Sequence, residues 1–251
     1  MLHHRFESMG TVVSVSARPA AEAGWNDVCA AVEEEFRMLD ARFSLYREDS
    51  ELSRIVRGER GLTESSVELR EVYALAVDWR TATRGAFTPH RPDGVVDLNG
   101  VVKALAIERA GQTLTRAGIA DWCVNAGGDV LVEGMAAGRP WTVGIADPQN
   151  RSSMLTSVEL SGGRRAVATS GLSERGAHVW PRGGAEPRFA QVTVFAPEIV
   201  TADVLATAIL AAPVDELDEL ADGRPADVLA VLPDGSLLAT PGLRQSAMSR
   251  G

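Results

Sequence analysis

Residues 101–134 read VVKALAIERAGQTLTRAGIADWCVNAGGDVLVEG, and a change of local pattern inside this stretch decides the fold class. Up to Gly118 the pattern is that of a helix stopped by glycine, whereas from Trp122 onward the chain is β-rich and broken by turn residues. Three further β-rich runs follow, PWTVGIADP (140–148), SMLTSVELS (153–161) and RRAVATSG (164–171), as in an antiparallel meander. Working outward, GTVVSVSA (10–17) alternates like a strand, and residues 20–42 set Val28, Val32, Phe36 and Leu39 at helical spacing. A second helix is predicted after Ser65-Ser66, carrying Leu69, Val72, Leu75, Val77 and Trp79 and ending near Arg84-Gly85. Toward the C-terminus, FAQVTVFA (189–196) predicts a strand that leads to the helix TADVLATAILAA (201–212). DVLAVLPDGSLLAT (227–240) predicts a hairpin about Pro233-Asp234-Gly235. The order has no βαβα regularity, so the expected class is α+β, mixed or antiparallel sheets with packed helices, in a single domain over residues 1–251.

The chain has 251 residues, 45% of them apolar, and a formal charge of −9. That charge argues against nucleic acid as a partner, because tracking a phosphate backbone requires a basic face. Two cysteines, Cys29 and Cys123, each lie in an apolar stretch and are expected as buried free thiols. MLHHRFESMGTVVSV lacks the apolar core and cleavage site of a signal peptide, and no run of 18 apolar residues occurs, so a cytoplasmic protein without a membrane span is expected.

Positive charge is supplied almost entirely by arginine, and Lys103 is the only lysine. A compact ammonium fits where a planar guanidinium does not, although a lysine kept in a surface ion pair is an equal alternative. Lys103 follows a glycine turn in DLNGVVK (97–103) and is expected in the first turn of a helix, where backbone N–H groups and the dipole favour phosphate. The segment is not a Walker loop. In TADVLATAIL, Asp203 and Thr207 are four residues apart and share a helix face. Two oxygen ligands of this kind suit Mg²⁺, which takes the rest of its octahedron from phosphate and water. Thr201 as N-cap with Asp203 in the first turn is the competing, purely structural explanation. The glycines of NAGGD (125–129) either make a plain turn or let a ligand approach the backbone, with Asp129 receiving a donor. Ser170, in TSG (169–171), lacks the setting of a hydrolase nucleophile.

Taken in order, SMGTVVSVSA, FSLYREDSELSRI, GAFTPHRPDGVVDLNGVVKALAIERA, CVNAGGDVLVEG, PWTVGIADP, AVATSG, QVTVFAPEIVTADVLATAIL and VLPDGSLLAT resemble the ApbE family of FAD:protein FMN transferases in its compact form, over about residues 5–245. The resemblance implies a T-fold-like α+β architecture. It also implies an enzyme that binds FAD as substrate, holds Mg²⁺ at the pyrophosphate and transfers FMN to a Thr or Ser hydroxyl of an acceptor protein, releasing AMP. An Mg²⁺-dependent FAD pyrophosphatase and a non-catalytic FAD-binding protein are the alternatives.

Carried over by residue, the resemblance assigns Asp203, Thr207 and the backbone carbonyl of Val102 to the metal, and Lys103 to the pyrophosphate. Met9, Thr11, Ser44 and Tyr46 fall near the flavin and adenosine, together with Asn125, Gly127, Gly128, Asp129, Thr169, Ser170 and Gly171. His178 and Asp129 are the candidates for the base. The sequence departs from the family pattern at Thr88, where aspartate is usual, at Ala104, where glycine is usual, and at Trp180-Pro181, where an acid followed by proline is usual. The acid five beyond the lysine is Glu108.

Overall fold

The computed structural model describes residues 1–172, 188–213 and 216–248. The chain divides into two compact units, Met1–Ala82 with Thr88–Arg139, and Thr83–Phe87 with Pro140–Gly251.

The first unit opens with a hairpin of β1 (Leu2–Ser8) and β2 (Thr11–Ala17). Ser8 pairs with Thr11, which leaves Met9 and Gly10 as a two-residue loop with φ of 50° and 68°. Positive φ at both positions is what a tight turn matched to strand twist requires. α1 (Trp25–Phe43), α2 (Glu51–Val56), α3 (Val67–Ala82) and α4 (Asn99–Arg116) follow, then the hairpin of β3 (Trp122–Ala126) and β4 (Asp129–Glu133). These four strands are antiparallel in the order β1-β2-β3-β4. Alternation puts one face of β2 and β3 in the core, with Val13 opposite Ala126, Val15 opposite Val124 and Ala17 opposite Trp122. α1 buries Cys29, Val32, Phe36, Leu39 and Phe43, a stripe at alternating spacings of three and four. α4 packs on α1 and on β3 and β4.

Gly111 of α4 lies against the ring of Trp122, where a methyl group would overlap the indole. The indole N–H donates to Thr115 Oγ1 at 3.2 Å, which fixes the ring in place. Gly111→Ala is therefore expected to lower the thermal midpoint by about 2–12 °C despite the better helix propensity of alanine, since overpacking costs about 1–3 kcal/mol. A thermal melt showing a raised midpoint would mean that the ring moves aside freely.

In the second unit, β5 (Trp141–Ala146) and β6 (Met154–Leu160) form their own two-stranded antiparallel sheet. β7 (Ala166–Gly171), β8 (Gln191–Ala196), β9 (Asp227–Val231) and β10 (Leu237–Ala239) are antiparallel neighbours in that order. α5 (Ile199–Ala211) packs on β7 and β8, with α6 (Leu217–Ala221) and α7 (Pro241–Met248) completing the unit.

The class is thus α+β with antiparallel sheets, as expected, with four differences in detail. WCVNAGGDVLVEG is two strands rather than one, and β5-β6 leaves the expected meander to pair within itself. Lys103 is the fifth residue of α4, past its first turn, because Asn99 and Gly100 are already helical. Thr201 is not an N-cap: α5 starts after Glu198, and the Thr201 hydroxyl donates to the Glu198 carboxylate at 3.3 Å.

Both cysteines are free, and burial pushes the Cys29 thiol up to about 11 and the Cys123 thiol up to about 12. No described helix is long and apolar enough to cross a membrane.

Candidate functional site

In the first unit the two hairpin tips lie side by side. Ala126 pairs with Asp129, so Gly127 and Gly128 form a two-residue loop with φ of 64° and 99°, a conformation glycine adopts without strain at both positions. The Gly127 N–H donates to the Val12 carbonyl at 3.1 Å, which ties this loop to the start of β2 beside the Met9-Gly10 turn. Asn125 Oδ1 accepts the Gly128 N–H at 2.9 Å and closes the loop from within. Met9 is one of few non-glycine residues at positive φ, a strained conformation that suits a functional turn.

At the foot of this loop, Asp129 begins β4 with its side chain only 1% exposed and forms an ion pair with the Lys103 ammonium, itself 19% exposed. The only lysine of the chain is thus in an ion pair, but a buried one. An ammonium carries three donors, so pairing with Asp129 is compatible with contact to a phosphate oxygen. Met9, Thr11, Asn125, Gly127, Gly128, Asp129 and Lys103 therefore belong to one neighbourhood. Val102 is the fourth residue of α4, with its side chain in the core.

Ser44 and Tyr46 stand at the C-terminal end of α1. The Ser44 hydroxyl accepts the Tyr46 N–H at 3.3 Å, and its carbonyl accepts the hydroxyls of Ser50 at 2.6 Å and Ser53 at 3.1 Å. Ser44 is buried while Tyr46 is 81% exposed, so the segment is a braced turn carrying an aromatic ring in solvent. Thr88 uses its hydroxyl to accept the His90 N–H at 3.2 Å, and the His90 ring meets the Tyr73 hydroxyl at 3.0 Å. Ala104 is fully buried within α4. His178 and Trp180 lie outside the described residues.

In the second unit the sequence IVTADVLATAILA gives α5 an apolar surface on every side, and all of its residues are buried except Thr207. Asp203, one turn before Thr207, is 5% exposed. A carboxylate inside such a helix is expensive unless it is balanced by a cation or by hydrogen bonds. The Ser170 and Thr207 hydroxyl oxygens are 3.2 Å apart, while Thr169, next along β7, bonds Thr193 at 2.9 Å. Thr193 is a fully buried hydroxyl that the sequence analysis missed, although it is one of two polar residues in β8.

Among the described residues no group of three or more His, Cys, Asp or Glu could hold a metal. The donor set at α5 is one carboxylate and two hydroxyls, all hard oxygens. It fits Mg²⁺, which binds through one or two carboxylates plus substrate phosphates, and does not suit zinc or copper.

Comparison with known proteins bears on the family and the fold. A profile of the ApbE family matches residues 9–91 and 90–232. The FAD:protein FMN transferase of Rhodobacter capsulatus is 34% identical over an alignment of 178 residues that covers 65% of this chain and 33% of that protein. The FAD:protein FMN transferase of Haemophilus influenzae is 22% identical and is matched over 88% of this chain and 80% of its own length. The chain thus spans about a third of the Rhodobacter capsulatus protein and four fifths of the Haemophilus influenzae one. Among solved structures, the flavin transferase ApbE from Vibrio cholerae superposes with a TM-score of 0.81 at 22% identity, covering 98% of both chains. The ApbE protein from Thermotoga maritima gives a TM-score of 0.80 at 21% identity, also covering 98% of each. At such identities these two structures bear on the fold.

Proposed function

Because the chain belongs to the ApbE family, we propose that it transfers FMN from FAD to a Thr or Ser hydroxyl of an acceptor protein, releasing AMP. The relatives named FAD:protein FMN transferase support this reading, and the family match, which runs through both units, supports residues 1–251 as one transferase domain. The observation that carries it is Asp203, a carboxylate buried in an apolar helix one turn from the single half-exposed residue of that helix, Thr207.

In the reaction the acceptor oxygen bonds to the phosphorus of the FMN moiety and the bond from that phosphorus to the AMP oxygen breaks. The hydroxyl proton passes to a base and the leaving charge stays on AMP. Little covalent help is needed; positioning and charge neutralisation do most of the work. Bound at Asp203 and Thr207, Mg²⁺ would supply Lewis-acid neutralisation of the phosphate oxygens. Lys103 would give a point charge to phosphate, with Asp129 fixing the direction of the ammonium. The double-glycine loop would let a ligand come close to backbone N–H groups. Asp129 is deeply buried and closely engaged by Lys103, which favours His178 of the two candidates for the base.

FAD is expected to bind more tightly than FMN, and riboflavin most weakly, because pyrophosphate and adenosine are what these groups recognise. The deciding experiment incubates the pure protein with FAD, Mg²⁺ and a flavin-stripped extract of the source cells. AMP, free FMN and protein-bound flavin on a denaturing gel are then quantified. Transfer yields AMP matched by protein-bound flavin. AMP matched by free FMN would make the protein a pyrophosphatase, and neither product would make it a flavin carrier.

A further inference from the structure

We infer that the Ser170 hydroxyl is a further protein ligand of the divalent cation at Asp203 and Thr207, an assignment that rests on the function proposed above. Three observations lead to it. α5 is buried at every residue but Thr207, which makes Thr207 its most open point, and half-buried Ser170 stands beside it. Successive residues of a strand face opposite ways: Thr169 turns to Thr193 on the neighbouring strand, while Ser170 alone of the two faces α5. The third observation is a distance. Ser170 Oγ and Thr207 Oγ1 are 3.2 Å apart. That separation lies near the roughly 3 Å edge joining adjacent ligands of an octahedron built on bonds of about 2.1 Å.

The charge of this ligand set has a consequence for substrate. One carboxylate and two neutral hydroxyls leave a divalent cation with net positive charge, which anionic phosphate oxygens would satisfy. Cation and FAD should therefore bind cooperatively, each raising the affinity for the other by the same factor.

The test uses Mn²⁺ followed by electron paramagnetic resonance, with and without FAD, on the full chain and on Ser170→Ala, Ser170→Thr, Ser170→Cys and Asp203→Asn. With FAD present, Ser170→Ala is expected to bind Mn²⁺ about 10- to 100-fold more weakly, whereas Ser170→Thr, which keeps the hydroxyl, stays within a few-fold of the parent. Ser170→Cys should lose Mg²⁺ affinity and gain Cd²⁺, with a thiolate-to-cadmium absorption absent from the parent, because a soft ligand selects a soft metal. Cys29 and Cys123 are common to every protein in the series, and burial keeps their thiols protonated near neutral pH, so they form the blank.

Parent-like Mn²⁺ binding by Ser170→Ala overturns the assignment while leaving the metal at Asp203 intact, provided Asp203→Asn has lost it. Weakened binding in Ser170→Ala with no cadmium band in a folded Ser170→Cys also overturns it, making Ser170 a hydrogen-bond partner of Thr207 only. If Ser170→Cys does not fold, the contrast between the alanine and threonine variants decides. Failure of the parent itself to bind Mn²⁺ with FAD removes the metal from the proposed function, and this ligand with it.

Discussion

Asp203→Asn is expected to lower Mg²⁺-dependent AMP release from FAD by about 10²- to 10³-fold, the equivalent of the several kcal/mol a Lewis-acid cation contributes to a phosphoryl-type transfer. The substitution keeps the shape of the side chain, so the packing of α5 against β7 and β8 should survive. Removing a charge from a position only 5% exposed also relieves a desolvation cost. With shape and packing kept, the variant should melt close to the midpoint of the parent when no divalent cation is present. Adding Mg²⁺ together with FAD should raise the midpoint of the parent and leave that of the variant nearly unmoved, because a ligand stabilises only the state that binds it. Turnover and melting are read on the same samples. Wild-type turnover at limiting Mg²⁺ would show that Asp203 does not hold the metal.

α5 also shows where sequence reasoning stops. A helix buried on all sides has no polar face, and its period is hidden in a continuous apolar run. Its start was accordingly misplaced at Thr201, and Thr207 could not be singled out as its one half-exposed residue. Helices with one wet face were easier: Val32, Phe36 and Leu39 of α1 were legible from spacing, although the structure puts Cys29 rather than Val28 in the buried stripe and adds Phe43.

β1 went unread because its inward positions include His4 and Ser8 as well as Leu2 and Phe6, which dilutes the alternation. The usable signal was Met9-Gly10, a two-residue turn between seven-residue runs. That β5 and β6 would pair only with each other was not legible, since strand neighbours are chosen by tertiary packing. Family motifs named the site residues, but nothing linear in the chain joined Lys103 to Asp129, or Ser170 to Thr207. Those pairings arise only when α4 packs on β4, and α5 on β7.

The Lys103–Asp129 pair changes what substitution at Lys103 should do. From sequence, a cation near a helix start opposes the dipole, so its loss should hardly disturb the fold. In the structure that cation balances a carboxylate that is 1% exposed, and Lys103→Met leaves the acid buried without it. Breaking a buried pair by removing one partner costs about 3–5 kcal/mol; with Lys103 partly reached by solvent, about 3 kcal/mol is expected here, or roughly 6–12 °C in thermal midpoint. FAD affinity should fall as well, by about ten- to a hundred-fold, if the ammonium also meets phosphate. Lys103→Arg should be only partly tolerated, since a planar fork cannot take the place of a compact charge beside the Gly127-Gly128 loop.

The two losses separate in the double variant. Adding Asp129→Asn to Lys103→Met removes the buried acid that has lost its ammonium and should restore much of the stability, while FAD binding stays weak because no cation has returned. Calorimetric FAD titration and thermal melting of the parent, both single variants and the double variant give a complete cycle. If the double variant regains FAD affinity along with stability, Lys103 serves the fold through Asp129 and makes no contact with the dinucleotide.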